Sequence, residues 1–182
     1  MDYAGGVLGG STDFVRPRGT FSLFKPFVRN KLVTVAAFNV QAGLIEPLGE
    51  DELFYNDRFY LGGESTLRGH RFRTIWVREE DGTTRVDQQG FPIGGETFFQ
   101  LNLEYQVLIG GPFRFLAFFD AANVFATDQS ASFDALRRTA GLELRVNIPA
   151  FGAPLRFIWS NNLDPFEDDR FESFRFSVGA GF

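Results

Sequence analysis

The side chains in this sequence that can do chemistry are carboxylates and guanidiniums, because thiols are absent and imidazole occurs once. Without Cys there is neither a thiolate metal site nor a disulfide framework. A lone His70 cannot build a His-cluster metal site, and it makes a Ser-His-Asp arrangement improbable. No catalytic residue, metal ligand or cofactor is therefore assigned, and the chain does not read as an enzyme. Glu167-Asp168-Asp169 offers the oxygen chemistry of a Ca²⁺ site, but such a run is more commonly a solvated loop tip. Gly5, Gly6, Gly9 and Gly10 lack the Lys-Ser/Thr pair and following helix of a phosphate cradle. They read better as close backbone packing or weakened pairing in a first strand. His70 beside Arg68 reads as a loop contact rather than a proton sensor. What remains is Arg68 and a set of acids, among them Glu104 and Asp120, whose placement depends on the elements that carry them.

Those elements have a period of two. From Phe99 to Ile109 the odd positions are Phe99, Leu101, Leu103, Tyr105, Val107 and Ile109, against Gln100, Asn102, Glu104 and Gln106. The same alternation runs through 113–121, 139–148 and 155–162. It returns at the C-terminus with Phe174, Phe176, Val178, Ala180 and Phe182 on one parity. Weaker versions occupy 3–10, 19–28 and 31–44, so eight strands are expected. The clear segments are about 9–12 residues long, longer than ordinary globular strands and close to the length that crosses a bilayer. No stretch approaches the 18 apolar residues of a membrane helix, and the opening MDYAGGVLGG lacks the regions of a signal peptide.

The connections alternate in length. Arg29-Asn30, Gly110-Gly111-Pro112 and 149–153 are short, whereas 11–18, 46–96, 126–135 and 163–170 are long. Short turns on one rim and long loops on the other is the asymmetry of an outer-membrane barrel with both termini on the short-turn, periplasmic side. A soluble lipocalin-type barrel with its apolar face turned inward remains the competing architecture. Long strands, an apolar face rich in the 24 Phe residues, and an opposite face carrying Glu104, Arg114, Asp120, Glu143 and Arg145 favour lipid outside and water inside. A net charge of −5 disfavours a nucleic-acid partner. The expected fold is all-β: an antiparallel transmembrane β-barrel domain over 1–182, with no periplasmic modules in the chain.

The 50-residue connection at 46–96 is far longer than a passive loop. It carries Arg58-Phe59-Tyr60-Leu61-Gly62-Gly63 and Leu67-Arg68-Gly69-His70. With Phe118-Phe119-Asp120-Ala121-Ala122-Asn123-Val124-Phe125 and the Phe-ended last strand, the chain resembles the BamA/TamA superfamily of outer-membrane assembly and translocation proteins. Two positions depart from the family pattern: His70 stands where an aromatic is usual, and Ala122 where Gly is usual. The resemblance implies insertion or translocation of other proteins at the outer membrane, without covalent chemistry. A structural or anchoring barrel is the alternative reading. It also implies that Arg68 is pinned between Glu104 and Asp120, with Gly69 letting the backbone approach the wall. From the residues alone, Arg68 reads more readily as a solvated loop residue, with the acids merely lining a polar lumen. Phe174, Phe176, Val178 and Phe182 match the family's terminal-strand signal, which is read by strand addition.

Eight strands enclose an interior just filled by side chains, so 50 loop residues do not fit inside such a barrel. The family barrel has sixteen strands, and this chain resembles its C-terminal half. The loop then lies on top of a closed eight-stranded barrel, or the chain supplies half of a larger one. Its expected partners are outer-membrane lipid, client proteins, and a second copy or the missing barrel half.

Overall fold

The computed structural model describes residues 2–4, 13–29, 32–48, 53–148 and 152–179. Seven strands form one antiparallel sheet. They are β3 (Arg18–Arg29), β4 (Leu32–Leu44), β6 (Thr97–Gly110), β7 (Phe113–Phe125), β8 (Arg137–Asn147), β9 (Pro154–Asn162) and β10 (Phe174–Val178). Each pairs with its sequence neighbour, in the order β10-β9-β8-β7-β6-β4-β3. A three-stranded patch continues the β3–β4 hairpin past Pro17 and Ile45. It is built from β1 (Asp2–Ala4), β2 (Phe14–Arg16) and β5 (Glu46–Pro47) in the order β1-β2-β5.

The short turns from β3 to β4, β6 to β7 and β8 to β9 allow only antiparallel neighbours, and the long loops join strands that are also adjacent in the sheet. The tight turn from β6 to β7 uses Gly110 and Gly111, both at positive φ, which side chains with a Cβ rarely adopt. Registers are continuous over 12 pairs in β3–β4, from Arg18↔Gly43 to Arg29↔Leu32. Strands of this length and alternation hold their register because a one-residue slip would put every carboxylate on the apolar face.

The sheet is apolar outside and polar inside. Trp159 and Phe176 are 46% and 53% exposed on the outward parity, whereas Asp120 and Glu143 are fully buried on the inward one. The soluble lipocalin alternative requires the reverse, so the expectation of a lipid-facing apolar parity is the one the fold follows.

The strand boundaries depart from expectation at the ends. The first strand anticipated at 3–10 is described only at Asp2–Ala4, where it pairs with β2, not with β3. Its glycines lie outside the described residues, as do 149–151 and Phe182. The loop anticipated at 46–96 starts two residues later, because Glu46–Pro47 still pairs with β2. Among the described residues β3 and β10 are the two edges of the large sheet and do not pair with each other. The 126–135 connection contains a 3-10 turn at Phe133–Ala135, capped by the Ser132 hydroxyl.

Candidate functional site

The long loop is a folded unit. Isolated bridges Phe59↔Gly95, Leu61↔Ile75 and Gly63↔Leu67 give it its own backbone pairing. Leu61, Leu67, Ile75 and Val77 are buried with Phe98, Ala122 and Val124 on the sheet, a contiguous apolar core at the long-loop end. That core fixes the base of the loop and leaves its tip, Leu67-Arg68-Gly69-His70, against the inward face.

The carboxylates that meet the tip come from three adjacent strands. Register places Asn102 opposite Asp120 and Asp120 opposite Thr139; one step along, Glu104 faces Phe118, and Phe118 faces Gly141. Glu143 lies in the next inward row, opposite Leu116. Period two therefore stacks Glu104, Asp120 and Glu143 around one point of the wall.

Arg68 occupies that point with 1% exposure. Its Nε donates to Asp120 Oδ2 and its Nη2 to Asp120 Oδ1, both at 2.7 Å, the bidentate fork that a guanidinium presents to a carboxylate. Its backbone N–H adds a third bond to Asp120 Oδ2 at 3.1 Å. Nη1 reaches Glu104 Oε1 at 2.7 Å and Glu143 Oε2 at 3.1 Å. The guanidinium carbon lies 3.8 Å from the Phe118 ring centroid, so the cation also stacks on an aromatic face. Burial works against the charged guanidinium, but Asp120, then Glu104 and Glu143, hold its pKa above the ordinary arginine value.

Three carboxylates around one arginine would leave excess negative charge, and two further arginines balance it. Arg145 Nη2 donates to Glu104 at 2.7 Å and Arg145 Nε to Glu143 at 2.6 Å. Arg156 Nε donates to Glu143 at 2.6 Å. Neutral amides fill the remaining positions: Gln106 to Glu104 at 2.6 Å and Asn102 to Asp120 at 2.9 Å. A buried network of this kind is tolerable only when its members are paired, because each uncompensated charge carries a large desolvation cost.

Two glycines make the fit possible. Gly69 has φ +92°, and a Cβ there would collide with the Phe171 ring and lie 2.7 Å from Ser160 Cβ. Gly141 stands opposite Phe118, where a Cβ would lie 2.7 Å from the Phe118 ring. The missing side chain at Gly141 is the space into which the ring under Arg68 fits.

The structure thus brings Arg68, Gly69, Glu104 and Asp120 together. Reasoning from the sequence missed Glu143, Arg145, Arg156, Phe118 and Gly141 as members of the same cluster. Inward parity marks all five, and only the register across four strands shows that they converge. Phe174, Phe176 and Val178 lie elsewhere, outward on the β10 edge.

His70 is completely buried, packed edge-on against Phe171 at 5.2 Å between ring centroids. Neither ring nitrogen has a hydrogen-bond partner. Burial, reinforced by Arg137 and opposed by Asp169, pushes its pKa down to about 4. Two acids of the run 167–169 are taken up by cations. Asp168 pairs with Arg78 at 2.5 Å, and Asp169 pairs with Arg137. Among the described residues no group of three or more His, Asp or Glu side chains is placed to hold a metal ion.

The whole of residues 1–182 matches the model of the Omp85 superfamily domain. The chain belongs to the Omp85 superfamily. One Omp85 relative is the outer membrane protein assembly factor BamA of Nitratidesulfovibrio vulgaris, 31% identical over 186 residues, or 99% of this chain and 22% of that protein. The mouse sorting and assembly machinery component 50 homolog is 28% identical over 109 residues, 60% of this chain and 20% of the mouse protein. The crystal structure of BamA from Haemophilus ducreyi lacking POTRA domains 1-3 superposes with a TM-score of 0.74. It is 22% identical, and the match covers 93% of this chain and 35% of that one. The chain spans about a fifth of the length of these curated relatives. The likeness to a solved BamA shows that the chain folds as part of a BamA-type barrel sheet.

Proposed function

We propose that this chain is the C-terminal part of an outer-membrane barrel that inserts or translocates other proteins, acting without covalent chemistry. The observation that carries the reading is Arg68, buried and held by Asp120, Glu104 and Glu143. In this reading the cluster is a lock. It fixes the long loop against the inner wall and so sets the curvature of β6 to β9, the part of the sheet that supplies its acids. The relatives named as assembly factors support the activity, and the loop's own apolar core supports a rigid rather than a mobile tip.

Among the described residues β3 and β10 are edges of the sheet without a paired neighbour, and lipid cannot satisfy an open edge. The reading therefore includes a further sheet, either the other half of a sixteen-stranded barrel or a second copy, to close them. It places the short-turn rim and both termini on the periplasmic side. Phe174, Phe176 and Val178 on β10, with Phe182 beyond it, serve as the terminal signal recognised by strand addition.

The test is client insertion into vesicles carrying the intact protein. Wild type should accelerate membrane insertion of an unfolded barrel, and Arg68→Ala should remove that acceleration while the protein remains membrane-embedded. Equal insertion with and without the wild-type protein would leave a structural barrel as the correct reading.

A further inference from the structure

One lysine interrupts the lipid-facing side of the sheet. Lys25 lies on β3 in the outward row Lys25–Ala36–Tyr105–Ala117. Among the described outward side chains of the seven strands, the other charged residue is Arg138, which sits at the long-loop end and pairs with Asp164 at 2.5 Å. A charge on the lipid face is costly in proportion to its depth, so such a residue calls for a partner. Lys25 makes no ion pair among the described residues. Its ammonium instead lies 5.6 Å from the centroid of the Phe27 ring, two positions nearer the tight-turn rim. It lies four positions before Arg29 at the end of β3, which in a tilted strand is a depth of about 10 Å. A lysine stem bent towards the rim spans most of that distance.

Beside Lys25 the outer surface is hollow. Its row is floored by the small side chains Ala36 and Ala117, while the row on one side carries Leu23, Phe38, Leu103 and Phe119. These residues and Tyr105 line a shallow apolar groove of about 540 Å³, open to the outside, with Lys25 at its margin. A flat lipid-facing wall needs neither the hollow nor the cation.

We propose that the groove and Lys25 hold one anionic phospholipid, its acyl chain along the alanine floor and its phosphate on the Lys25 ammonium. This rests on the membrane placement given above. An anionic headgroup is specified because a zwitterionic one would bring its own ammonium beside Lys25. The bound lipid neutralises the lipid-facing charge and covers the edge-proximal part of the sheet with an ordered chain.

The experiment is native mass spectrometry of the intact protein in mild detergent, supplied with equal amounts of phosphatidylglycerol and phosphatidylcholine. Vesicle flotation of each variant reports on insertion. Wild type should retain one phosphatidylglycerol in preference. Lys25→Gln should cut that retention about fivefold, and Ala36→Phe, which fills the groove, should abolish it. Arg138→Gln at the opposite rim should leave it unchanged. Equal retention by Lys25→Gln and wild type, or equal uptake of the two lipids, overturns the site. So does a dimer of the chain that disappears with Ala36→Phe, because a second copy then occupies the groove. Failure of wild type to float with vesicles overturns the membrane placement itself, whereas flotation without lipid retention overturns only the groove.

Discussion

Arg68 and Asp120 are joined three times, through Nε, Nη2 and the Arg68 backbone N–H, so Asp120 fixes both the orientation of the guanidinium and the path of the loop. A lysine could satisfy the charge but not this geometry, because an ammonium is a point donor while the guanidinium is a planar fork. The backbone bond also ties the loop tip to β7 independently of the side chain.

Arg68→Ala leaves Asp120 and Glu104 buried with less than their full set of cations. Removing one partner of a buried ion pair costs about 3–5 kcal/mol, enough to release a loop tip even with its apolar base intact. Limited trypsin digestion at Arg71 and Arg73 should become rapid in Arg68→Ala and remain slow in wild type. Arg68→Lys should be intermediate.

Gly69→Ala combines a positive φ with a collision against Phe171. Strain of that backbone kind is of order 1–3 kcal/mol, and the ring must move as well. The expected outcome is a lowered thermal transition and faster loop cleavage, although every charge of the cluster is retained. Unchanged stability in Gly69→Ala would show that the tip is not held close to the wall.

Phe118→Leu removes the aromatic face under Arg68 without touching a charge. A desolvated cation–aromatic contact is worth about 2 kcal/mol, so the variant should be measurably less stable by heat-induced mobility shift, but less damaged than Arg68→Ala. Gly141→Ala should cost more, because its Cβ would collide with the Trp159 carbonyl on β9 as well as with the same ring.

His70 gives the loop an acid sensitivity. Its folded pKa lies near 4, mainly through burial, while the unfolded chain takes up the proton near the ordinary value of 6.5. Between these values the unfolded state binds the extra proton, so stability is complete above about pH 6.5 and falls by up to about 3 kcal/mol as pH drops towards 4. Arg137 and Arg78 oppose the imidazolium and Asp169 favours it. Asp169 is itself held below the usual carboxylate range, since the Phe166 N–H and Arg137 outweigh its burial, and its contribution is lost at lower pH. His70→Phe should flatten the pH 4–6.5 part of a loop-cleavage profile and leave the part below pH 4.

Much of this was readable in the sequence, because the alternation from Phe99 to Ile109 carries both strand and face. Glu104 and Asp120 could be placed inward from parity alone. Arg156 and Gly141 could not be joined to them, since their meeting depends on the β7–β8–β9 register, and register is set by turns and packing rather than by period. Arg68 was harder still. A loop arginine has no periodicity, and its burial follows from an apolar loop core that no local pattern marks. The reach of β2 past Pro17 was hidden because Pro17 breaks the alternation without ending the hairpin.

The most direct test of the lock is the exchange of its two principal charges. Arg68→Asp and Asp120→Arg should each abolish client insertion and expose the loop to trypsin, while the double variant should recover a substantial part of both properties, because the pair is restored in reverse. A double variant no better than either single one, with its loop ordered and the protein embedded in the membrane, would contradict the claim that the Arg68–Asp120 pair holds the loop for function.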